Sequence, residues 1–371
     1  MNTYEKRAES GGFVHLFQTA KRWRGVELTI FGPEAARSRV CSELPSAHFS
    51  AIPSCENLTG NRAVVYAFRA LSAAAMLPKR LRRFDAIYVL SQSLPDILPA
   101  ILARPGRTVA QVFHLQPPPW KRPGSLLNNI FAYVNESLGV TLVRRFARNV
   151  VVLTSSIEPA LRLAPGTHVT AVGSGTWTIP IDAFGMGVHV RAGAIYVGRL
   201  HPAKGINDVI DAWAIVQANL PDAVLTLVGS GDEGYIRALH TRIERLSLAD
   251  SVRFAGFVAE EEKARILGNA RAFITASREE GWGIAVAEAL ALGVPSVTYD
   301  LPVFRDVFSR GRIGVPVGDV NALANGILTL LKDDETHARL SAQARELAAN
   351  FSWDSVARAE EEAIRRAVEQ A

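Results

Sequence analysis

The chain has 371 residues, among them 28 Gly, 19 Pro and 2 Cys, with 48% hydrophobic and 21% charged residues; this ordinary globular composition excludes collagen-like, disordered and disulfide-stapled classes. Cores tend to split beyond about 250–300 residues, so two domains with a cleft between them are expected. The net charge of +5 is unevenly spread, with 21 Lys+Arg against 10 Asp+Glu in residues 1–180 and 20 against 26 in the rest, and a basic half suits phosphate-bearing or membrane-surface ligands.

Met1 to Gly12 is polar and shows no export-signal pattern, so the expectation is a cytoplasmic protein. Cys41 and Cys55 match no metal or redox spacing and read as reduced thiols. A helix is read over 13–23, a strand at 26–31, a helix at 62–77 and a strand at 84–90. A strand at 108–113 ends in His114 and is followed by the stiff Gln116 to Trp120 segment, a helix at 125–146 and a strand at 149–153. Two basic clusters, Lys21 to Arg24 and Lys79 to Arg83, each close a helix before a strand. In a parallel sheet that edge lies opposite the ligand crevice. They read as solvated helix ends, which the helix dipole favours, or as a docking surface for anionic lipid head groups.

The stretch 163–181 is uncharged but too broken by Gly, Pro, Thr and Ser to span a membrane, so any membrane contact is expected to be peripheral, at the inner face. The Gly-rich region 173–191 holds the interdomain linker, near 180–190. Beyond it, strands are predicted at 192–198, 223–229, 251–255, 271–276 and 294–298, alternating with helices near 206–219, 232–247, 260–268 and 284–292. Helices near 319–332 and 335–349 follow, and Ser352 is a plausible N-cap for a final helix to Ala371. The pattern is α/β, a doubly wound parallel sheet in the second half and the same layering, less clear, in the first.

Two constellations could carry chemistry. Arg199 and Lys204 lie five residues apart where the strand 192–198 gives way to a helix. That edge is where ligands bind in such sheets, and a planar fork beside a mobile ammonium suits a diphosphate. The second runs Arg278-Glu279-Glu280-Gly281-Trp282-Gly283-Ile284 into a helix that carries Glu288. Gly281 and Gly283 let backbone amides approach a bound group. Glu280 in the loop and Glu288 over one turn into the helix can face one cleft at different depths, and a deep carboxylate needs donors such as sugar hydroxyls.

With these motifs in order, the chain resembles the retaining glycosyltransferases of family 4, also called group 1, over most of its length and most densely from 193 to 355. The matching stretches are 194–213, 221–234, 252–267, 280–302 and 351–357, and two glutamates separated by seven residues, Glu280 and Glu288, form the signature. The resemblance implies the GT-B architecture: two Rossmann-like doubly wound domains facing a cleft, with a C-terminal helix crossing back. It divides the chain into an acceptor domain at 1–182, a nucleotide-sugar donor domain at 190–352 and the returning helix at 353–371.

The resemblance further implies roles. Arg199 and Lys204 would grip the diphosphate and stabilise the leaving nucleotide, Glu280 would contact the transferred sugar, and His114 would touch the donor sugar or assist at the reacting centre. Gly283 and Ile284 would offer amides to sugar and phosphate, with Trp282 beside them and Gly12 at the opening of the first helix. Glu288 would bind the ribose hydroxyls, and Phe257 and Val258 would flank the base. No metal and no cofactor are expected. The donor would be a UDP- or GDP-sugar, and the acceptor a carbohydrate or lipid-linked hydroxyl. An anionic membrane surface is a further partner, and nucleic acid is not one.

Competing readings are a phosphorylase or epimerase of the same architecture, the epimerase disfavoured by Glu280 and Glu288, and a nucleotide-sugar-binding subunit without transfer. The resemblance also implies a strand ahead of Gly11, whereas Met1 to Ser10 has no β-branched run. The expectation is a gap in the N-terminal sheet of about 4.8 Å on each side, from a start lying upstream or a rearranged domain. Gly173 to Thr176 stands where the family has an Asn-Gly turn.

Overall fold

A computed structural model of the chain describes residues 11–53, 62–115, 117–121, 126–176 and 192–370. Met1 to Ser10, the linker at 180–190, Gln116 and Cys55 lie outside the described residues. The chain divides into two compact units, one of Met1–Gly175 with Trp353–Ala371 and one of Thr176–Ser352.

Unit 1 runs α1 (Gly11–Ala20), β1 (Thr29–Pro33), α2 (Arg37–Glu43), β2 (His48–Ile52), α3 (Arg62–Leu81), β3 (Ile87–Val89) and α4 (Leu94–Ala103). It continues with β4 (Thr108–Val112), α5 (Leu126–Phe146), β5 (Asn149–Val152), α6 (Glu158–Leu161) and β6 (His168–Ala171). The strands form a parallel four-stranded sheet, β3-β4-β5-β6, and a separate parallel pair, β1-β2. Every residue of β4 and β5 is buried, as the continuous apolar runs of a sheet covered on both faces require. Phe31 at β1 and Ile52 at β2 nevertheless pack against the core of the larger sheet, while Ile30 and Phe49 join a second apolar cluster with α1 and α2.

Unit 2 runs β7 (Ala194–Val197), α7 (Ile206–Asn219), β8 (Leu225–Val228), α8 (Glu233–Arg245), β9 (Val252–Gly256), α9 (Glu260–Asn269) and β10 (Ala272–Thr275). Then come α10 (Ile284–Ala291), β11 (Ser296–Tyr299), α11 (Pro302–Val307), β12 (Arg312–Val315), α12 (Val320–Lys332) and α13 (Asp334–Ala348). All six strands are parallel, in the order β12-β11-β10-β7-β8-β9. The chain steps outward from β7 in one direction as far as β9, then returns to the other side of β7 with β10. That reversal is the topological switch point of a doubly wound sheet. Fully buried Trp213, Tyr196, Ile206 and Ile210 centre the core beneath α7.

The last helix, α14 (Trp353–Glu369), belongs to unit 1 and lays Ala363 and Ala367 on Val109 and Val151. Its Glu360, fully buried, accepts hydrogen bonds from the Tyr88 hydroxyl at 2.6 Å and pairs with His15 Nε2 at 2.7 Å. A buried carboxylate is tolerable only with such partners.

The basic clusters fare differently. Lys21 pairs with Glu43 at 2.6 Å and Arg22 with Asp354 at 3.0 Å, both within unit 1, whereas Lys79, Arg82 and Arg83 stand exposed at the end of α3. Among the described residues no helix is long and apolar enough to cross a membrane.

Candidate functional site

The switch point of unit 2 gathers the sequence-predicted residues. β7 and β10 are neighbours, and the loops leaving their C-terminal ends carry Arg199 to Gly205 and Ser277 to Gly283. The first loop is fixed at its root by the Tyr196 hydroxyl, which donates to the Arg199 carbonyl at 3.0 Å, and Arg199 itself is exposed. His201 caps the turn at 202–204: its Nδ1 accepts from the Ala203 amide at 3.2 Å. Gly205 then turns into α7 with φ +67°, and a Cβ there would collide with the Ala276 carbonyl. Only glycine lets the two loops approach so closely.

That approach brings two predicted residues into contact. Lys204 Nζ donates to Glu280 Oε1 at 2.7 Å, with the side chains 25% and 18% exposed. The same carboxylate oxygen accepts from the Ser277 hydroxyl at 2.8 Å. Glu280 is therefore held from two directions through one oxygen, and Lys204 is a cation that pairs with it. The partly exposed pair can exchange partners for an incoming anion and hydroxyl at modest cost, since such pairs are worth little when solvent reaches them.

Gly283 opens α10 with φ +105°, and a Cβ there would lie 2.7 Å from the Phe304 ring. Gly283 is buried and Ile284 half-buried at the first turn of α10, where amides have no partner within the helix. Trp282 is turned inward: 3% exposed, its indole meets the Phe308 and Phe351 rings edge-on at 5.3 and 5.1 Å. Its side chain anchors the loop, and what it can offer a ligand is backbone.

Glu288 sits one and a half turns into α10, 6% exposed. Burial pushes its carboxyl up to about 7, against the pull of Lys263 and with a further push from Glu260. Lys263, on α9, reaches it at 3.1 Å and also holds Glu260 at 2.8 Å. Sequence reasoning missed Lys263; the signal available was a lysine one turn after Glu260 on a helix that follows the predicted Phe257 and Val258 loop. Phe257 is 61% exposed at the end of β9, an apolar ring facing solvent, and Val258 is half-buried.

A third group was also missed. Arg278 donates to Asp208 at 2.6 Å, and the Tyr299 hydroxyl donates to the same oxygen at 2.7 Å. These bonds tie the loop after β10 to the first turn of α7 and to the end of β11.

In unit 1, His114 follows the end of β4. The buried Gln92 donates to its carbonyl at 2.7 Å and to Glu136 on α5 at 3.3 Å, which fixes the backbone there. Gly12 lies in the first turn of α1, half-buried. The structure thus brings Arg199, Lys204, Glu280, Gly283 and Ile284 to one sheet edge in unit 2, with Glu288 deeper in α10, and sets His114 and Gly12 at strand and helix ends of unit 1.

Comparison with known proteins gives the same picture for the second half. The family model of glycosyl transferases group 1 matches residues 191–347. A phosphatidyl-myo-inositol mannosyltransferase of Mycobacterium leprae is 34% identical over 167 residues, 44% of this chain and 43% of that protein. A glycogen synthase of Mycobacterium tuberculosis is 32% identical over 168 residues, 44% of this chain and 40% of that protein. The matched stretch thus spans less than half the length of both relatives. In solved structures, HepE of Anabaena in complex with UDP superposes with a TM-score of 0.73 at 21% identity, covering 95% of each chain. WaaG, a glycosyltransferase involved in lipopolysaccharide biosynthesis, gives 0.74 at 14% identity over 96% of each. The fold is GT-B.

Proposed function

We propose that this chain, whose residues 191–347 form a group 1 glycosyltransferase domain, moves a hexose from a nucleoside diphosphate sugar to an acceptor hydroxyl with retention of configuration and without a metal. The observation that carries the reading is the meeting of Lys204 and Glu280 at the switch point of unit 2. In this reading one cation and one carboxylate side by side serve a diphosphate and the sugar attached to it.

In this reading Arg199 and Lys204 take the two phosphates, and Glu280, released from Lys204, accepts from a sugar hydroxyl while Ser277 keeps it aimed. The amides of Gly283 and Ile284 face the sugar and its phosphate. Glu288 accepts from the ribose diol, and Phe257 and Val258 flank the base. The bond from the anomeric carbon to the phosphate oxygen breaks, and the acceptor oxygen attacks that carbon from the same face. The acceptor proton passes to the departing phosphate oxygen. Negative charge grows on the leaving diphosphate, where fixed cations act most strongly, at about 2.7–4 kcal/mol per donor. His114 of unit 1 is read as the group beside the donor sugar.

The acceptor is read as a carbohydrate or a lipid-linked hydroxyl, and the protein as cytoplasmic and peripheral at the inner face of the membrane. Unit 1 supports this placement. Val64, Phe68 and Leu71 of α3 point outward along one face, with Leu71 72% exposed. Leu127, Ile130, Val134 and Leu138 do the same on α5, with Leu127 at 78%, and Trp120 is 74% exposed. Both helices end in cations, Lys79 and Arg80 on α3 and Arg144 and Arg145 on α5. Outward apolar stripes with basic ends suit an anionic lipid surface.

The test is incubation with UDP- and GDP-hexoses, scored for nucleotide release with and without carbohydrate and lipid-linked acceptors. Release that requires an acceptor is the expected result. Tight nucleotide binding with no release on any donor would make the chain a binding subunit, and absence of nucleotide binding would overturn the reading.

A further inference from the structure

We propose that Lys263 is a positioning residue of the nucleotide site, holding the Glu288 carboxylate ionised and aimed for the diol it receives. The inference rests on the reading of Glu288 as the ribose-binding group and adds a residue and a pH dependence that this reading does not contain.

The geometry is asymmetric. Lys263 Nζ stands between two carboxylates, 3.1 Å from Glu288 and 2.8 Å from Glu260. The lysine side chain is 15% exposed and Glu288 8%, whereas Glu260 is 65% exposed and has water for a partner. Among the described residues, Lys263 is the one side chain bonded to the Glu288 carboxylate. A carboxylate buried without a donor takes up a proton in preference to staying charged.

Among the described residues, the other elements packed on α10 place no further charge on Glu288. β10 (Ala272–Thr275) and β11 (Ser296–Tyr299) contain no Asp, Glu, Lys, Arg or His. α13 contributes Arg345, which sits against Gly293 beyond the end of α10 and donates to Ser341 at 3.0 Å. The charge state of Glu288 is therefore set first by burial, which favours the proton, and then by α9, with Lys263 opposing burial and Glu260 adding to it. Lys263 is able to play this part because, although burial would neutralise it, Glu288 and Glu260 hold its own proton more firmly than in a free lysine.

The chemistry of the ligand explains why the charge matters. A vicinal diol offers two O–H donors, and an ionised carboxylate accepts both, in bonds about twice as strong as neutral ones. A protonated acid gives up one of those acceptor positions. With Glu288 near pH 7 in the ligand-free chain, nucleotide affinity depends on which form prevails.

The experiment is a titration of UDP and of GDP into wild type, Lys263→Met, Lys263→Arg and Glu288→Gln between pH 5.5 and 9. Wild type should bind with nearly constant affinity above the midpoint and lose up to about tenfold per pH unit below it. Lys263→Met should move that midpoint up by about one unit or more, so that it binds within about threefold of wild type at pH 9 and more weakly by about fivefold or more at pH 7. Lys263→Arg should keep the wild-type curve, and Glu288→Gln should bind weakly with a flat profile. If Lys263→Met does not fold, Lys263→Gln carries the same test. Equal loss at every pH would make Lys263 a packing residue, and tighter binding at every pH would make it a competitor of the nucleotide. Either result overturns the proposal. Failure of the underlying reading is distinct: Glu288→Gln would then bind like wild type and keep its pH curve.

Discussion

Lys204 and Glu280, 76 residues apart in the sequence, meet at 2.7 Å across the switch point of the second unit. The residue that would grip the diphosphate and the residue that would touch the sugar neutralise each other until a donor arrives. Each is thereby held at the place where its own ligand would enter, so binding exchanges one partner for another and does not recruit a free side chain.

The exchange separates the two roles experimentally. Glu280→Gln should leave nucleotide affinity within about threefold while transfer falls by about a hundredfold or more, because the lost contact is to the sugar. Lys204→Met should weaken nucleotide binding itself, by about tenfold or more, the worth of a charge-assisted bond of about 1.5–3 kcal/mol. Calorimetry with UDP and GDP alongside a release assay reads both. Equal loss of binding and transfer in Glu280→Gln would refute its assignment.

The glycine turns give a stability prediction with its own control. Gly205 and Gly256 share a left-handed φ, +67° and +71°, but a Cβ at Gly256 would meet nothing within 4 Å. Gly256→Ala should cost only the backbone strain, about 1–2 kcal/mol. Gly205→Ala must also push the Ala276 carbonyl away and should cost clearly more in denaturant melts, with loss of nucleotide binding because Lys204 moves with the turn. Equal destabilisation by the two substitutions would show that the close approach of the loops is not needed.

Glu288 also ties stability to pH. Its folded value of about 7 lies above the ordinary 4.5, so the folded state binds the proton more tightly than the unfolded chain does. The stabilisation is complete below about pH 4.5 and lost as pH rises through about 7. Over pH 5 to 8 the wild type should lose thermal stability relative to Glu288→Gln, which has no such group to titrate. Parallel melting curves across that range would mean that Glu288 is not buried as described.

The outward stripes of α3 and α5 yield a fourth expectation. Leu71→Asp with Leu127→Asp should release the protein from vesicles containing anionic lipid in a flotation assay while leaving nucleotide binding unchanged. Charge reversal at Arg82 and Arg83 should do the same and make the remaining binding less salt-sensitive. Undiminished flotation of both variants would remove the membrane from the function.

Much of the second unit was legible because its strands are buried on both faces and read as apolar runs. The helix predicted at 206–219 is α7 to the residue. What escaped was short, exposed or interrupted. β12, Arg312–Val315, is an edge strand with one buried residue, and β2 and β6, at the edges of their own sheets, show none. An edge strand has no second neighbour to impose the pattern. α4, which the sequence reading did not predict, carries Pro95 at its start and Pro99 within it. The site followed the same logic. Arg199, Lys204, Glu280 and Glu288 stood in recognisable spacing, but Lys263 reaches Glu288 only because two helices pack, and no periodicity within either helix announces that.

Because Glu360 of α14 pairs with His15 of α1 and accepts from Tyr88, the first unit joins segments on either side of the second unit in the sequence. During synthesis, which delivers the N-terminal end first at about 5–20 residues per second, the second unit can finish before α14 has left the ribosome. The larger sheet of the first unit must wait with Val109 and Val151 uncovered until α14 arrives. A premature stop at Ser352 would therefore spare the later-made unit and disable the earlier-made one.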